Sequence, residues 1–150
     1  MIEVVVSGPA VPRLSRNEIT RFVQSALDAL RRARATREPV TDVSIHFVDD
    51  AGMKRLNGRF RGKKKTTDVL TFPAGDEDVE PGSHRRPLGD VVISLPQARR
   101  QARVERHSLA TEVRYLILHG IIHALGYDHA TDHGEMNALE NRIRPRVGLE

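Results

Sequence analysis

Three histidines near the C-terminus carry the chemistry most legible in this 150-residue chain. They lie in the run Leu118-His119-Gly120-Ile121-Ile122-His123-Ala124-Leu125-Gly126-Tyr127-Asp128-His129. His119 and His123 are four apart in an apolar stretch, so a helix puts them on one face, about 6 Å apart along its axis. Gly126 offers the left-handed conformation that ends a helix and turns the chain back. His129 then swings toward the same point from the turn. Three imidazoles held this way make a metal site with a fourth position open to water, the pattern of catalytic rather than structural zinc. The chain has no cysteine, which excludes disulfides and thiolate ligands. Histidine-only sites take zinc, nickel, cobalt or copper, and cellular availability decides between them.

The spacing resembles the zinc-protease pattern of two helical histidines, a glycine and a third histidine. Those enzymes place a glutamate general base directly after the first histidine. Here that position is Gly120, so peptide hydrolysis by that route lacks its base. Glu112 or Glu140 would have to supply a carboxylate from elsewhere, and neither has a spacing that demands it. Asp128 either orients the neighbouring His129 as a hydrogen-bond acceptor or caps the turn after Gly126. Tyr127 reads as packing. His46, His84, His107 and His133 read as structural or solvent-exposed.

The elements that must position these residues follow from periodicity and punctuation. Ile2 to Val6 reads as a short β-branched first strand, and Pro9 and Pro12 break the chain. Ser15 or Asn17 can cap a long helix whose apolar positions are Ile19, Phe22, Val23, Ala26, Leu27 and Leu30. Val43 to Val48 alternates as a second strand. Asp49 or Asp50 caps a helix through Met53, Leu56 and Phe60, and a loop from Arg61 to Thr67 leads into a third strand, Val69 to Phe72. Residues 74–87 read as a surface loop or wide hairpin connection, and Leu88 to Ser94 as a fourth strand. Pro96 opens a helix running to about Arg106. Ser108 caps the histidine helix, where Leu109, Val113, Leu116, Ile117, Ile121 and Leu125 imply burial. Asp132 and Glu135 form an N-cap and N3 pair for a last helix with Met136, Leu139 and Ile143 facing inward. The expected fold is a single compact α+β domain over residues 1–150. It has a small mixed sheet of about four strands and about five helices, with the metal site on a C-terminal helix and the turn after it.

Composition agrees: 39% hydrophobic and 29% charged residues describe an ordinary globular domain. No stretch approaches the roughly 18–20 apolar residues of a membrane span, and Met1 to Val6 carries no basic leader, so the expected location is cytoplasmic. Net charge is +4, unevenly spread. Lys54, Arg55, Arg59, Arg61, Lys63, Lys64 and Lys65 form a basic stripe without an acidic residue, and Arg31, Arg32, Arg34 and Arg37 form a second group. Against them stands the acidic run Asp76-Glu77-Asp78-Val79-Glu80. A basic stripe beside a metal site suggests a polyanionic substrate or partner. Four Phe and two Tyr leave few platforms for stacking on flat ligands.

Three separated segments together resemble the YbeY family, bacterial metal-dependent endoribonucleases of ribosomal RNA maturation. They are His119-Gly120 with His123, Gly126, Asp128 and His129; Phe60-Arg61-Gly62-Lys63 running on to Asp68-Val69-Leu70-Thr71-Phe72-Pro73; and Leu88-Gly89-Asp90-Val91-Val92-Ile93-Ser94. The resemblance runs from about Val43 to Arg146, the first forty residues being similar only in pattern. Thr66 stands where the family commonly has proline, and Thr71 where it commonly has serine. The resemblance implies His119, His123 and His129 as ligands of one divalent ion, usually zinc, and Arg61 as the functional arginine of the basic loop. It implies cleavage of single-stranded RNA, with ribosomal RNA and the ribosome or its associated proteins as partners, and a role in ribosome quality control.

A divalent ion lowers the pKa of water toward about 7 and takes up phosphate charge, which suits a site without a protein base. Arg61 would bind a phosphate through its planar fork, while Lys63, Lys64 and Lys65 track the backbone. RNA also offers its own 2′-OH as nucleophile, and the residues do not choose between the two routes. A rival class is a ribosome-associated RNA-binding module whose metal only holds the fold. The fourth coordination position separates the two, and a metallopeptidase is the third and weakest reading.

Overall fold

The computed structural model describes residues 2–36, 39–61, 68–128 and 131–150, with the side chains of residues 59–61 left aside. Four strands form one mixed sheet: β1 (Glu3–Ser7), β2 (Asp42–Val48), β3 (Val69–Pro73) and β4 (Pro87–Ser94), in the order β1-β2-β4-β3. The β1–β2 and β2–β4 pairs are parallel, and β3 runs antiparallel to β4. Five helices accompany them: α1 (Arg16–Arg32), α2 (Asp50–Arg61), α3 (Leu95–Glu105), α4 (Leu109–Ala124) and α5 (Glu135–Ile143). The expected compact α+β fold with a small mixed sheet is what forms.

Strand periodicity decides which side chains meet which layer. Along β2, Val43, Ile45 and Phe47 are buried with α1 and α4, while Ser44, His46 and Val48 point to the other face. Val91 and Ile93 of β4 join the same core, into which Val113, Ile117, Ile121 and Ile122 of α4 pack. On the opposite face Met53, Leu70 and Val92 make a smaller cluster with Val48, Leu56 and Phe72, the apolar side of α2 covering the sheet there. The sheet is therefore closed on one face by two helices and on the other by one.

Local chemistry sets the helix ends. Of the two candidate caps for α1, Ser15 is the one used, in a reciprocal capping box with Glu18. At α2 the Asp49 carboxylate accepts from the Gly52 N–H at 2.7 Å. Asp50 instead accepts from Ser94 Oγ and Arg100, tying α2 to the start of α3. Ser108 caps α4 as expected. Two expectations shift. Arg61 is the last residue of α2, not the first of a loop, because the chain stays helical through that position. The cap of α5 is Gly134, in the left-handed region, rather than Asp132. Asp132 still serves from outside, its carboxylate accepting from the Gly134 and Met136 N–H groups. The 74–87 connection joins the antiparallel β3 and β4, and its acidic run folds as a short 3-10 turn, Asp76–Asp78.

Candidate metal centre

The site is built on α4, whose burial fixes its orientation. Gly120 is where the helix touches the sheet: a Cβ there would stand 2.6 Å from Val91 Cγ1 and 3.5 Å from Thr71 Oγ1. No side chain fits, and a protease-type glutamate least of all. The glycine after the first histidine is thus a packing requirement. Gly126, at φ +109°, turns the chain after α4, its N–H bonded to the His123 carbonyl at 3.0 Å.

Of the two described candidate ligands, His119 has the contacts that define its orientation. Its Nδ1 lies 2.6 Å from Glu140 Oε1, and the ring is 31% exposed while the Glu140 side chain is 7% exposed. A carboxylate oxygen accepts, so Nδ1 carries the proton and Nε2 is the nitrogen suited to a metal. Glu140 is itself held by Arg144, 3.3 Å from Oε2, whose guanidinium sits 5.0 Å over the Tyr115 ring. This fits the group the motif implies: a helical imidazole pair, with one ring fixed in a ligating tautomer by a buried carboxylate. The third expected ligand, His129, lies outside the described residues, and among those described no group of three or more His, Asp or Glu side chains could hold a metal ion. His119 and His123 are together. The set of three is not assembled from the described residues alone.

The other expected site residues divide similarly. Arg61 is placed by its backbone at the end of α2, its side chain lying outside the description, and Lys63, Lys64 and Lys65 are outside it altogether. The carbonyl of Asp128 accepts from the Thr131 and Asp132 N–H groups; whether its side chain orients His129 rests on a residue not described. Tyr127 packs against the core, its hydroxyl reaching the Ala35 carbonyl at 3.4 Å. Among the remaining histidines, His107 bonds to Glu112 at 2.6 Å and stacks on Tyr115. His46 joins three strands, with Nδ1 2.6 Å from Ser7 Oγ and Nε2 2.7 Å from Asp90. Glu112 and Glu140, the carboxylates a peptidase would have needed, are thus both engaged with histidine side chains. Of the second basic group, Arg31 and Arg32 finish α1, where cations suit the helix dipole, and Arg32 pairs with Asp28 at 3.3 Å.

The sequence offered Glu140 only as a carboxylate for a peptidase, not as the partner of His119, and Arg144 was missed altogether. Glu140 lies 21 positions from His119, and no local spacing links them. The hint available was an acidic residue on the inward side of the last helix, beside Leu139 and Ile143.

The architecture is thus an α+β domain with a buried, histidine-bearing helix laid across a four-stranded mixed sheet. The family model described as endoribonuclease YbeY matches residues 10–148, and the chain belongs to that family. The match begins well before Val43 and takes in α1. Relatives named endoribonuclease YbeY include one from Solibacter usitatus, 48% identical over 122 residues, covering 79% of this chain and 77% of the relative. Another, from Nautilia profundicola, is 45% identical over 72% of this chain and 73% of its own. A third, from Roseiflexus sp., is 35% identical over 98% of this chain and 95% of its own. The solution structure of TM1509 from Thermotoga maritima is similar with a TM-score of 0.57 and 25% identity, over 98% of this chain and 89% of that one. No helix among the described residues is long and apolar enough to cross a membrane.

Proposed function

We propose that this chain is a metal-dependent, single-strand-specific endoribonuclease that acts in the cytoplasm on ribosomal RNA, in its maturation and in ribosome quality control. The observation carrying the reading is the pair His119 and His123 on a helix seated by Gly120 against Val91, in a chain of the endoribonuclease YbeY family. His119, His123 and His129 are the residues that hold a divalent cation, zinc in the first instance. When bound, such an ion supplies Lewis acidity toward a phosphate oxygen and makes water a stronger acid.

The chain's own residues account for the rest. The seat of α4 on the sheet excludes a carboxylate base at position 120, so proton removal does not fall to that position. Arg61, reached by the last turn of α2, binds the scissile phosphate through two N–H donors and offsets the charge that grows during attack. Lys63, Lys64 and Lys65 continue the basic stripe along the strand and make binding salt-dependent, by roughly 0.7 log unit per phosphate contact. Two routes lead to cleavage, and the new ends tell them apart. Attack by the 2′-OH forms the 2′-O–P bond, breaks the P–O5′ bond and leaves a 2′,3′-cyclic phosphate, the leaving oxygen taking up a proton. Attack by water leaves no cyclic phosphate.

The test is cleavage of an end-labelled single-stranded RNA by the parent and by His123→Ala, prepared side by side with metal content measured. The parent is expected to cleave. The folded variant should have lost its metal and about two orders of magnitude or more of activity. A fully metal-loaded parent inert on naked RNA and on ribosomes would leave a binding module with a structural metal.

A further inference from the structure

We infer that Glu140 is a positioning residue for His119: it fixes the imidazole tautomer and ring angle so that Nε2, and not Nδ1, is the metal ligand, with Arg144 holding the carboxylate in place. This rests on the reading that His119 binds metal, and adds a residue from a different element to the site.

Three features carry it. The contact is short, 2.6 Å from His119 Nδ1 to Glu140 Oε1, and joins α4 to α5 across 21 positions of sequence. The Glu140 side chain is almost wholly withdrawn from solvent, 7% exposed against 31% for His119, so its acceptor competes with little water for the imidazole N–H. Its second oxygen is occupied by Arg144 at 3.3 Å, and Arg144 is braced by the Asn141 side chain at 3.1 Å and by the Tyr115 ring. A buried carboxylate clamped at one oxygen and aimed by the other at a ring nitrogen is costly to build for packing alone. It is well suited to hold an imidazole at one angle. An imidazole without that partner can rotate and exchange tautomers, so part of the binding free energy of the metal would go into ordering it.

The experiment measures cobalt(II) affinity, by competition with a chromophoric chelator, together with the visible d–d spectrum of the cobalt-loaded protein. It uses the full chain as parent, Glu140→Gln, Glu140→Ala and Glu112→Ala, with folding of each apo protein checked by circular dichroism and urea unfolding. Glu140→Ala is expected to lose about 10- to 100-fold in affinity and to show an altered spectrum. Glu140→Gln, whose amide oxygen still accepts from Nδ1–H, should recover a large part of the affinity and the parental spectrum. Glu112→Ala, which removes an equally buried carboxylate from another histidine, should leave both unchanged. Rescue by glutamine separates positioning from fold support, which is why the conservative variant is included. Parental affinity and spectrum in folded Glu140→Ala would overturn the inference while leaving the histidine site intact, as would equal losses in the Glu140 and Glu112 variants. A folded parent without cobalt affinity would remove the metal site and the inference together. Intact metal binding without RNA cleavage would remove the proposed activity and leave the role of Glu140 standing.

Discussion

The two ends of α4 carry nearly the same arrangement and use it differently. At the N-terminal end His107 meets the buried Glu112 at 2.6 Å; toward the C-terminal end His119 meets the buried Glu140 at 2.6 Å. The two pairs are even connected, since Arg144 bonds Glu140 and lies over Tyr115, and Tyr115 stacks on His107 with ring centroids 5.5 Å apart. What differs is the company each histidine keeps. His107 has an aromatic plane against it and belongs to the helix start, five residues from its carboxylate. His119 stands one helical turn from a second histidine and draws its carboxylate from another helix. A histidine–carboxylate pair is therefore not itself a site. What sets the His119 pair apart is the second histidine on the same helical face.

The largest way to break that distinction is at the seat of α4. Gly120→Glu would restore the glutamate that zinc proteases place after their first histidine, but its Cβ meets Val91 at 2.6 Å. The expected cost is about 3 kcal/mol or more, from overpacking and a buried carboxylate together. It would be read as a lowered urea midpoint with loss of metal and no gained peptidase activity. A stable, metal-loaded Gly120→Glu protein would show that α4 can lift from the sheet, and would refute the packing account of the glycine.

Glu112→Ala sharpens the comparison from the other end. It leaves His107 beside an apolar gap and should destabilise by about 1–3 kcal/mol, with RNA cleavage per loaded site unchanged once measured below the unfolding temperature. A drop in cleavage larger than the folded fraction explains would mean that the linked pairs act as one unit.

The smallest effect lies far from α4, at the Asp42–Arg85 pair, 2.9 Å apart. Hydrogen bonding from Arg85, foremost, and from Thr41 holds the Asp42 carboxyl below its ordinary value of 3.8. A lowered folded-state value means a contribution fully present above the unfolded value and lost as pH falls through the folded one. Asp42→Asn should therefore be less stable than the parent at pH 6 by a small margin that closes as pH drops below 3.8, as urea midpoints at several pH values would show. A gap that widens toward acid would give the opposite sign and place the stabilisation elsewhere. Metal affinity near neutral pH should be the same in Asp42→Asn and the parent.

How far the sequence reached is clearest residue by residue. The spacing of His119 and His123 was enough to place both on one helical face, because a 3.6-residue period leaves little choice. The alternation from Val43 to Val48 marked β2, and Ser15 was one of the two caps offered for α1. Boundaries were softer: Arg61 belongs to the helix and not the loop, and α5 starts after Gly134, because one more turn of hydrogen bonds or a neighbouring carboxylate can move an end by a residue or two. The absence of a protease glutamate was visible at Gly120, but not its cause. That cause is the approach of α4 to Val91, a contact between elements with no trace in local spacing.

By itself, then, the sequence determined the periodic facts: which residues face inward along each strand and helix, which histidines share a face, and the family motifs that name the class. Only the tertiary structure decided that Glu140 and Arg144 stand beside His119, and that a side chain at position 120 would meet Val91. The physical reason is range. Periodicity is written by the backbone over a few residues, whereas a partner 21 positions away is chosen by how helices pack, which no short segment encodes.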